Sequence, residues 1–394
     1  MAKGKDIVAS TEAYEEWLKR ALTRSGLDAK LVREILKQDI VEKHEKMSSG
    51  AFPFLRATYW RWAETAHKFY RSDMDEPEVL AVGDIHLENY GVWRDQEARL
   101  VWGVNDFDEA AHMPYGLDIV RLAASAVLAP GSARVGPAQV CAIILEGYGD
   151  GLKNPAPFVL DGDHAWLREQ FAVDPIERAD FWAKIAKKLA KAREAKQQGA
   201  EPDDAETNPP APYRKAVQKA MPEKNLKIEF WRSSAGTGSL GRPRWRAHAE
   251  WRGGSLVREV KALVPSAWGY ARGAAGGILS GKIAAGRFRA PDPWYRVDGK
   301  KGLVIRRLSA NSRKLELEYQ GDILLDPRML GLMSHELANV HLGTGKDSTR
   351  AEIRKHLKDR DPIWLLVAAE KACDLVRSEQ QKFERHWRRS RRKA

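Results

Sequence analysis

Hydrophobic residues recur at helical spacing along much of the chain. Leu18, Leu22, Leu27, Leu31 and Ile35 form a stripe in the charged stretch 10–45. Leu55, Tyr59, Trp62, Ala66 and Phe69 step by four and three, which predicts one amphipathic helix from Leu55 to Phe69. Glu78–Val82 reads as a short buried strand ending at Gly83. Tyr90–Trp93 and Leu100–Val104 read as two strands joined by the polar turn Arg94–Ala98. Leu117, Val120, Ala124 and Val127 return to helical spacing, and Pro130-Gly131 ends that helix. Beyond residue 225 the period becomes two. Trp245, Ala247, Ala249 and Trp251 alternate with Arg244, Arg246, His248 and Glu250, and Leu315, Leu317 and Tyr319 alternate with Lys314, Glu316 and Glu318. Leu256–Val264 and Gly302–Leu308 are also strand-like, so 225–320 is expected to be mainly β. Helical spacing resumes at Leu330, Met333, Leu337 and Val340, and again at Leu366, Ala369, Cys373 and Val376.

The length, 394 residues, allows two or three domains or two lobes around one cleft. The acidic, Pro-rich stretch Gly199–Pro212 has linker composition and divides the chain. The expected organisation is an N-terminal helical extension over 1–45, a catalytic lobe over 46–198, a linker over 199–212, a β-rich lobe over 213–321, and return helices with a basic tail over 322–394. Hydrophobic residues at 43% and charged residues at 30% fit a globular protein.

The net charge of +12 invites a nucleic-acid reading, but half of it lies in residues 377–394. That tail, with Phe383 and Trp387 among its arginines, suits RNA, DNA or an anionic membrane surface, and equally suits a solvated helix end. Cys141 and Cys373 cannot build a disulfide framework or a zinc site by themselves. No signal-like leader and no long apolar run is present, so no transmembrane segment and a cytoplasmic location are expected.

The densest chemistry is Val82-Gly83-Asp84-Ile85-His86-Leu87-Glu88-Asn89, followed by Asn105-Asp106-Phe107-Asp108-Glu109. A tight hairpin between the two returns Asp106 beside Asn89. That collects a carboxylate, an amide oxygen and a second carboxylate, with Asp108 as a third candidate. Such oxygen ligands suit Mg²⁺, which also keeps waters and phosphate oxygens. A carboxylate beside the metal can deprotonate an attacking hydroxyl, the logic of phosphoryl transfer.

A second candidate is Gly236-Thr237-Gly238-Ser239-Leu240-Gly241, a G-x-G-x-x-G stretch. It leads into strand alternation and not into a helix, so a glycine-rich hairpin covering ATP phosphates fits better than a dinucleotide fold. Lys261, twenty residues beyond Gly241 on the next strand pattern, can reach the α- and β-phosphates as a point charge. Arg306 and Arg307 fall on opposite faces of a strand and are expected to be solvent-exposed. In this order the glycine loop follows the catalytic loop, so the chain reads as a circular permutation of the kinase order, which is tolerable where the ends of a fold lie close together.

At Met47…Phe54-Leu55-Arg56, Gly83–Gly91, Asn105–Glu109 and Asp118–Ser125 the chain resembles the bacterial family called domain of unknown function 2252, over about residues 46 to 345. That family is similar to the aminoglycoside and choline phosphotransferases of the protein-kinase-like fold. The resemblance implies an α+β, two-lobed, circularly permuted fold, with Asp84 as catalytic base and Asn89 and Asp106 as Mg²⁺ ligands. It further implies Asp118 bracing the catalytic loop through backbone hydrogen bonds and His86 as a structural loop histidine. Val82 stands where the antibiotic phosphotransferases usually carry His, and no glutamate partner for Lys261 is evident. The function expected is Mg–ATP-dependent transfer to a hydroxyl of a small molecule or protein. AMP transfer, a non-catalytic nucleotide-binding module, and nucleic-acid binding through the tail are the alternatives.

Overall fold

The computed structural model describes residues 6–71, 75–197, 207–233, 238, 240–274 and 276–392. It begins with Ile7–Arg24 (α1) and Ala29–Ser48 (α2), capped by the side chains of Asp6 and Asp28, which accept amides that the first helical turn leaves open. The stripe from Leu55 does not make one helix. Thr58 divides it into Ala51–Ala57 (α3) and Tyr59–Phe69 (α4). The Thr58 hydroxyl donates to the Phe54 carbonyl at 2.7 Å, and its backbone leaves the helix at φ −126°, ψ 40°. A β-branched hydroxyl bonding back one turn competes with the helical ladder in this way.

Four short strands follow: Glu78–Ala81 (β1), Tyr90–Arg94 (β2), Leu100–Val104 (β3) and Ala111–Pro114 (β4). β1 pairs with β4, and β2 pairs with β3 with Tyr90 opposite Val104. Phe158–Val159 (β5) extends β3. Helices Tyr115–Leu128 (α5) and Pro137–Lys153 (α6) flank these strands, followed by Ala165–Phe171 (α7), Pro175–Gln197 (α8) and Ala211–Lys219 (α9). Most of the expected linker 199–212 lies outside the described residues.

The next five strands are Glu229–Arg232 (β6), Arg244–Trp251 (β7), Gly254–Ala262 (β8), Arg296–Asp298 (β9) and Leu303–Leu308 (β10). They form one antiparallel sheet in the order β6-β7-β8-β10-β9, with short helices Ala267–Ala271 (α10) and Ser280–Ala284 (α11) between β8 and β9. Side chains alternate between the faces of a strand, so one face of β7 buries Trp245, Ala247 and Ala249 while the other carries Arg244 and Arg246.

The alternation at Leu315–Tyr319 does not make a strand. Lys314 forms a single bridge to Gly91, and the chain then turns into helix Leu317–Leu324 (α12). The Glu88 carboxylate accepts the Leu317 amide at 2.9 Å, and the Gln320 side chain accepts the Glu316 amide at 3.0 Å, so local acceptors start the helix.

Pro327–Gly343 (α13), Thr349–Asp359 (α14) and Trp364–Arg391 (α15) complete the chain. α13 packs along α6, and α15 packs on α2, α3, α4 and α5. One hydrophobic core joins α1–α6, α13 and α15 to the Trp245 face of the sheet. Antiparallel sheets with helices gathered beside them make this an α+β protein. The basic tail belongs to α15 through Arg391. Its inner face is docked: Glu379 pairs with Arg61 at 2.5 Å, Phe383 is buried, and Arg391 pairs with Glu45 at 2.6 Å. None of the described helices is long and apolar enough to cross a membrane.

Candidate active site

The site starts at the turn after β1. Gly83 holds φ +80°, where a Cβ would lie 2.6 Å from the Glu109 carbonyl oxygen and the Tyr59 hydroxyl, so only glycine fits. Asp118, in the first turn of α5, accepts the amides of Val82 at 2.7 Å and Gly83 at 2.9 Å, and Nε2 of His341 from α13 lies 3.2 Å from its carboxylate. Asp84 follows directly. Its Oδ1 accepts from Arg121 Nη2 at 2.5 Å. Arg121 is wholly buried, with its guanidinium 5.1 Å from the Tyr59 ring and 5.0 Å from the Trp62 ring. Burial pushes the Asp84 carboxyl up to about 7; Arg121 pulls it back and Glu109 adds to the rise.

The β2–β3 hairpin brings the second motif alongside. Asn105 donates its amide to the Asn89 carbonyl at 3.1 Å. Asn89 Nδ2 donates to the backbone carbonyls of Asp84 at 3.1 Å and Asp106 at 3.3 Å, so one amide side chain ties the two acidic segments together. His86 takes no part in this. Its Nδ1 accepts the Glu88 amide at 3.2 Å, its ring meets Phe52 edge to face, and burial holds its pKa well below the usual range, leaving it neutral.

The opposite wall is the polar face of the five-stranded sheet. Lys261 on β8 lies opposite Arg244 on β7, and Glu259 lies opposite both Arg246 and Arg306. Lys261 Nζ reaches across the cleft to Asp108 at 2.5 Å and stands 3.8 Å from Asp106. Glu259, 1% exposed, gathers three arginines: Arg306 at 2.7 Å, Arg244 at 3.1 Å and Arg246 at 3.6 Å. Burial alone would raise Glu259, but these guanidinium groups outweigh it and hold the carboxyl well below the ordinary range. Burial would likewise raise Asp106, and Lys261, Lys314 and Arg306 outweigh it. Arg306 therefore faces the cleft and not solvent. Arg307 points to the other side, 3.3 Å from Asp292.

Between the walls lies a cavity of about 310 Å³ lined by Asp84, Asn89, Asp106, Arg246, Arg306 and Lys314, among others. Gly238, between β6 and β7, closes one end. A Cβ there would stand 3.2 Å from Asp84 Oδ2 and from the Arg56 carbonyl, so the turn approaches the acid because it lacks a side chain. Gly241 donates its amide to Asp39 of α2 at 3.1 Å, which anchors the far end of the turn to the first helices. Gly236, Thr237 and Ser239 lie outside the described residues. Glu109 clamps the two walls: it pairs with Arg242 and accepts the Ala267 amide at 2.6 Å.

For a metal the donors are few. Among the described residues no group of three or more His, Cys, Asp and Glu side chains is placed to hold an ion. Asp108 is engaged by Lys261, and the nitrogen of the Asn89 amide is spent on the backbone, which leaves its oxygen and the Asp106 carboxylate. One carboxylate and one amide oxygen suit a Mg²⁺ that arrives with phosphate oxygens and water, and do not suit a protein-only cage.

Residues 35–215 match the model of a family described as an uncharacterized protein conserved in bacteria (DUF2252), so this segment is similar to that family. The matched segment carries Asp84, Asn89, Asp106 and Asp118; it stops short of the sheet that carries Lys261. No curated protein and no solved structure matches the chain.

Several residues of the site escape the sequence reading. Arg121 had one signal: a charge inside Leu117–Leu122, where every neighbour is apolar or small except Asp118. Arg244 and Arg246 were visible as alternation, but which face turns inward depends on partners distant in sequence. Lys261 finds its carboxylate partners in Asp108 and Asp106, from another part of the chain, and not in a glutamate of its own lobe.

Proposed function

We propose that the protein is a Mg–ATP-dependent phosphotransferase acting on a hydroxyl acceptor, built on a circularly permuted kinase-like fold. The observation that carries this reading is one cavity with two chemically complementary walls. Asp84, Asn89 and Asp106 stand on one, and Arg244, Arg246 and Arg306 on the other, with Gly238 at the end near Asp84 and Lys261 just behind the lining, bound to Asp108. The cationic wall holds the phosphate chain by charge-assisted hydrogen bonds. Asp84 takes the acceptor's proton as its oxygen bonds to the terminal phosphorus and the bridging P–O bond breaks, releasing ADP. A carboxyl titrating near neutrality suits that role. Mg²⁺ bound with the nucleotide supplies neutralisation of phosphate charge, with Asn89 and Asp106 as its protein ligands.

A second reading, a non-catalytic nucleotide-binding module, is favoured by the 2.5 Å contact of Lys261 with Asp108, because that pair must part before the lysine meets phosphate. Calorimetric titration with ATP and Mg²⁺ tests the site, and analysis of products tests the reaction. ADP as product supports phosphoryl transfer, and pyrophosphate indicates AMP transfer. ATP-dependent stabilisation without turnover across an acceptor screen supports the module. Equal, weak ATP binding by wild type and Asp106→Ala overturns the site assignment.

A further inference from the structure

The phosphate cleft adjoins a second cavity of a different character. It measures about 280 Å³ and meets the first at Arg306, Leu308 and Lys314, which line both. Its walls carry Trp93, Phe107, Tyr295, Val92 and Val104. The phosphate cleft has no aromatic side chain other than His86 among its lining residues. Ligand pockets usually hold flat apolar groups between hydrophobic and aromatic surfaces, with a few placed polar atoms to orient them. The charged cleft offers only Val82, Leu308 and Leu315 as apolar side chains, and the second cavity supplies the aromatic surface.

The walls of the second cavity are firmly set. Trp93 Nε1 donates to the Ala290 carbonyl at 2.7 Å. The Arg289 guanidinium lies 4.8 Å from the Phe107 ring and 5.5 Å from the Trp93 ring, paired with Glu336 and donating to the Val104 carbonyl at 2.5 Å. Tyr295 and Phe107 meet edge to face at 6.5 Å. Against this order, three polar atoms of the lining residues are buried with no hydrogen-bond partner among the described residues: the Tyr295 hydroxyl, Asn105 Oδ1 and Arg289 Nε. An unpaired buried polar atom is costly and calls for an explanation. Asn105 Oδ1 accepts, Arg289 Nε donates and the Tyr295 hydroxyl can do either, and a nucleobase edge offers both kinds of counterpart.

We propose that this second cavity takes the base of the nucleoside triphosphate whose phosphates lie in the charged cleft, with Lys314 and Arg306 at the seam between them. The assignment rests on the nucleotide reading above, and separates the two duties: the sheet face grips phosphate, and the aromatic recess recognises the base.

The test compares ATP with inorganic tripolyphosphate, each titrated calorimetrically in the presence of Mg²⁺. Two variants probe the recess. Ala285→Trp starts from an exposed lining residue and places bulk in the cavity mouth. Tyr295→Phe removes only the hydroxyl. The proposal expects wild type to bind ATP more tightly than tripolyphosphate. Ala285→Trp should weaken ATP by about tenfold or more and Tyr295→Phe by about fivefold, the effects of losing stacking and one buried hydrogen bond. Tripolyphosphate binding should stay unchanged in both, which also shows that the variants fold. If ATP and tripolyphosphate bind wild type equally well, or ATP affinity is unchanged in both variants, the base does not lie here and the phosphate cleft stands alone. If neither ligand binds wild type, the nucleotide reading itself fails and takes this assignment with it.

Discussion

The two walls of the cleft are held in place by different forces. On the helical side, position comes from the backbone. Asp118 accepts two successive amides of the turn and Asn89 donates to two carbonyls, so the acidic segments are fixed mainly by hydrogen bonds to the main chain, with Arg121 as the one ion-pair partner of Asp84. On the sheet side, position comes from charge. Three arginines converge on Glu259, and Lys261 is pinned by Asp108 from across the cleft. The first arrangement is short, directed and mostly buried, so salt screens it little. The second is held by electrostatics that a phosphate can redirect. A rigid acid facing an adaptable cationic surface is the division expected if the acid must be aimed and the cations must accommodate a bound anion.

The comparison can be broken most decisively at Asp118. Asp118→Ala leaves the buried amides of Val82 and Gly83 without acceptors, and should cost about 3 kcal/mol of stability in urea unfolding. A loss as small as that of a surface substitution would show that the helical wall does not depend on this carboxylate. Arg306→Ala should act on the other wall in another currency. Glu259 keeps Arg244 and Arg246, so the fold survives, while affinity for ATP and for tripolyphosphate should each fall by about tenfold in calorimetry. An unfolded Arg306→Ala protein would mean that the arginine cluster is a structural staple and not a ligand surface.

A third test uses pH. Burial raises the Asp84 carboxyl to about 7, so below that value it is protonated and cannot take a proton. Turnover should therefore rise with pH, by about tenfold per unit below the inflection and levelling above it, with kcat/KM as the readout. A flat profile between pH 5 and 8, bounds drawn roughly around ordinary His titration, would remove Asp84 as the base. The smallest effect is expected at Lys314. Burial pulls its ammonium down to about 8 while Asp106 opposes the fall, so phosphate affinity should weaken a few-fold, roughly, as pH rises past that point. Lys314→Gln should abolish this alkaline loss.

What could be read from the residues follows the length scale of the contacts. Asn89 and Asp106 meet because the hairpin Tyr90–Val104 returns the chain to its start, with Asp84 just before it, and local closure is legible in a sequence. The strand that carries Lys261 was legible as alternation, while of the G-x-G-x-x-G stretch only Gly238, Leu240 and Gly241 lie among the described residues. The break at Thr58 was hidden because the stripe from Leu55 to Phe69 continues through it; only the Thr58 hydroxyl marks the bend. The helix at Leu317–Leu324 was hidden for the converse reason. Its first residues alternate as a strand would, but no partner strand is available beyond the bridge at Lys314. Arg306 was expected in solvent, and its inward turn depends on Glu259, which lies 47 residues earlier. The aromatic recess draws on Trp93, Phe107 and Tyr295, three segments that no short-range pattern connects.

Glu259 has a further consequence. A carboxylate surrounded by three guanidinium groups resembles the anion those groups would receive from outside. On the proposed function, an arriving phosphate would compete with Glu259 for these guanidinium groups instead of meeting them without an anion. If the proposed transfer holds, such a surface trades some grip on its ligand for speed of release, because Glu259 takes the guanidinium groups back as product departs.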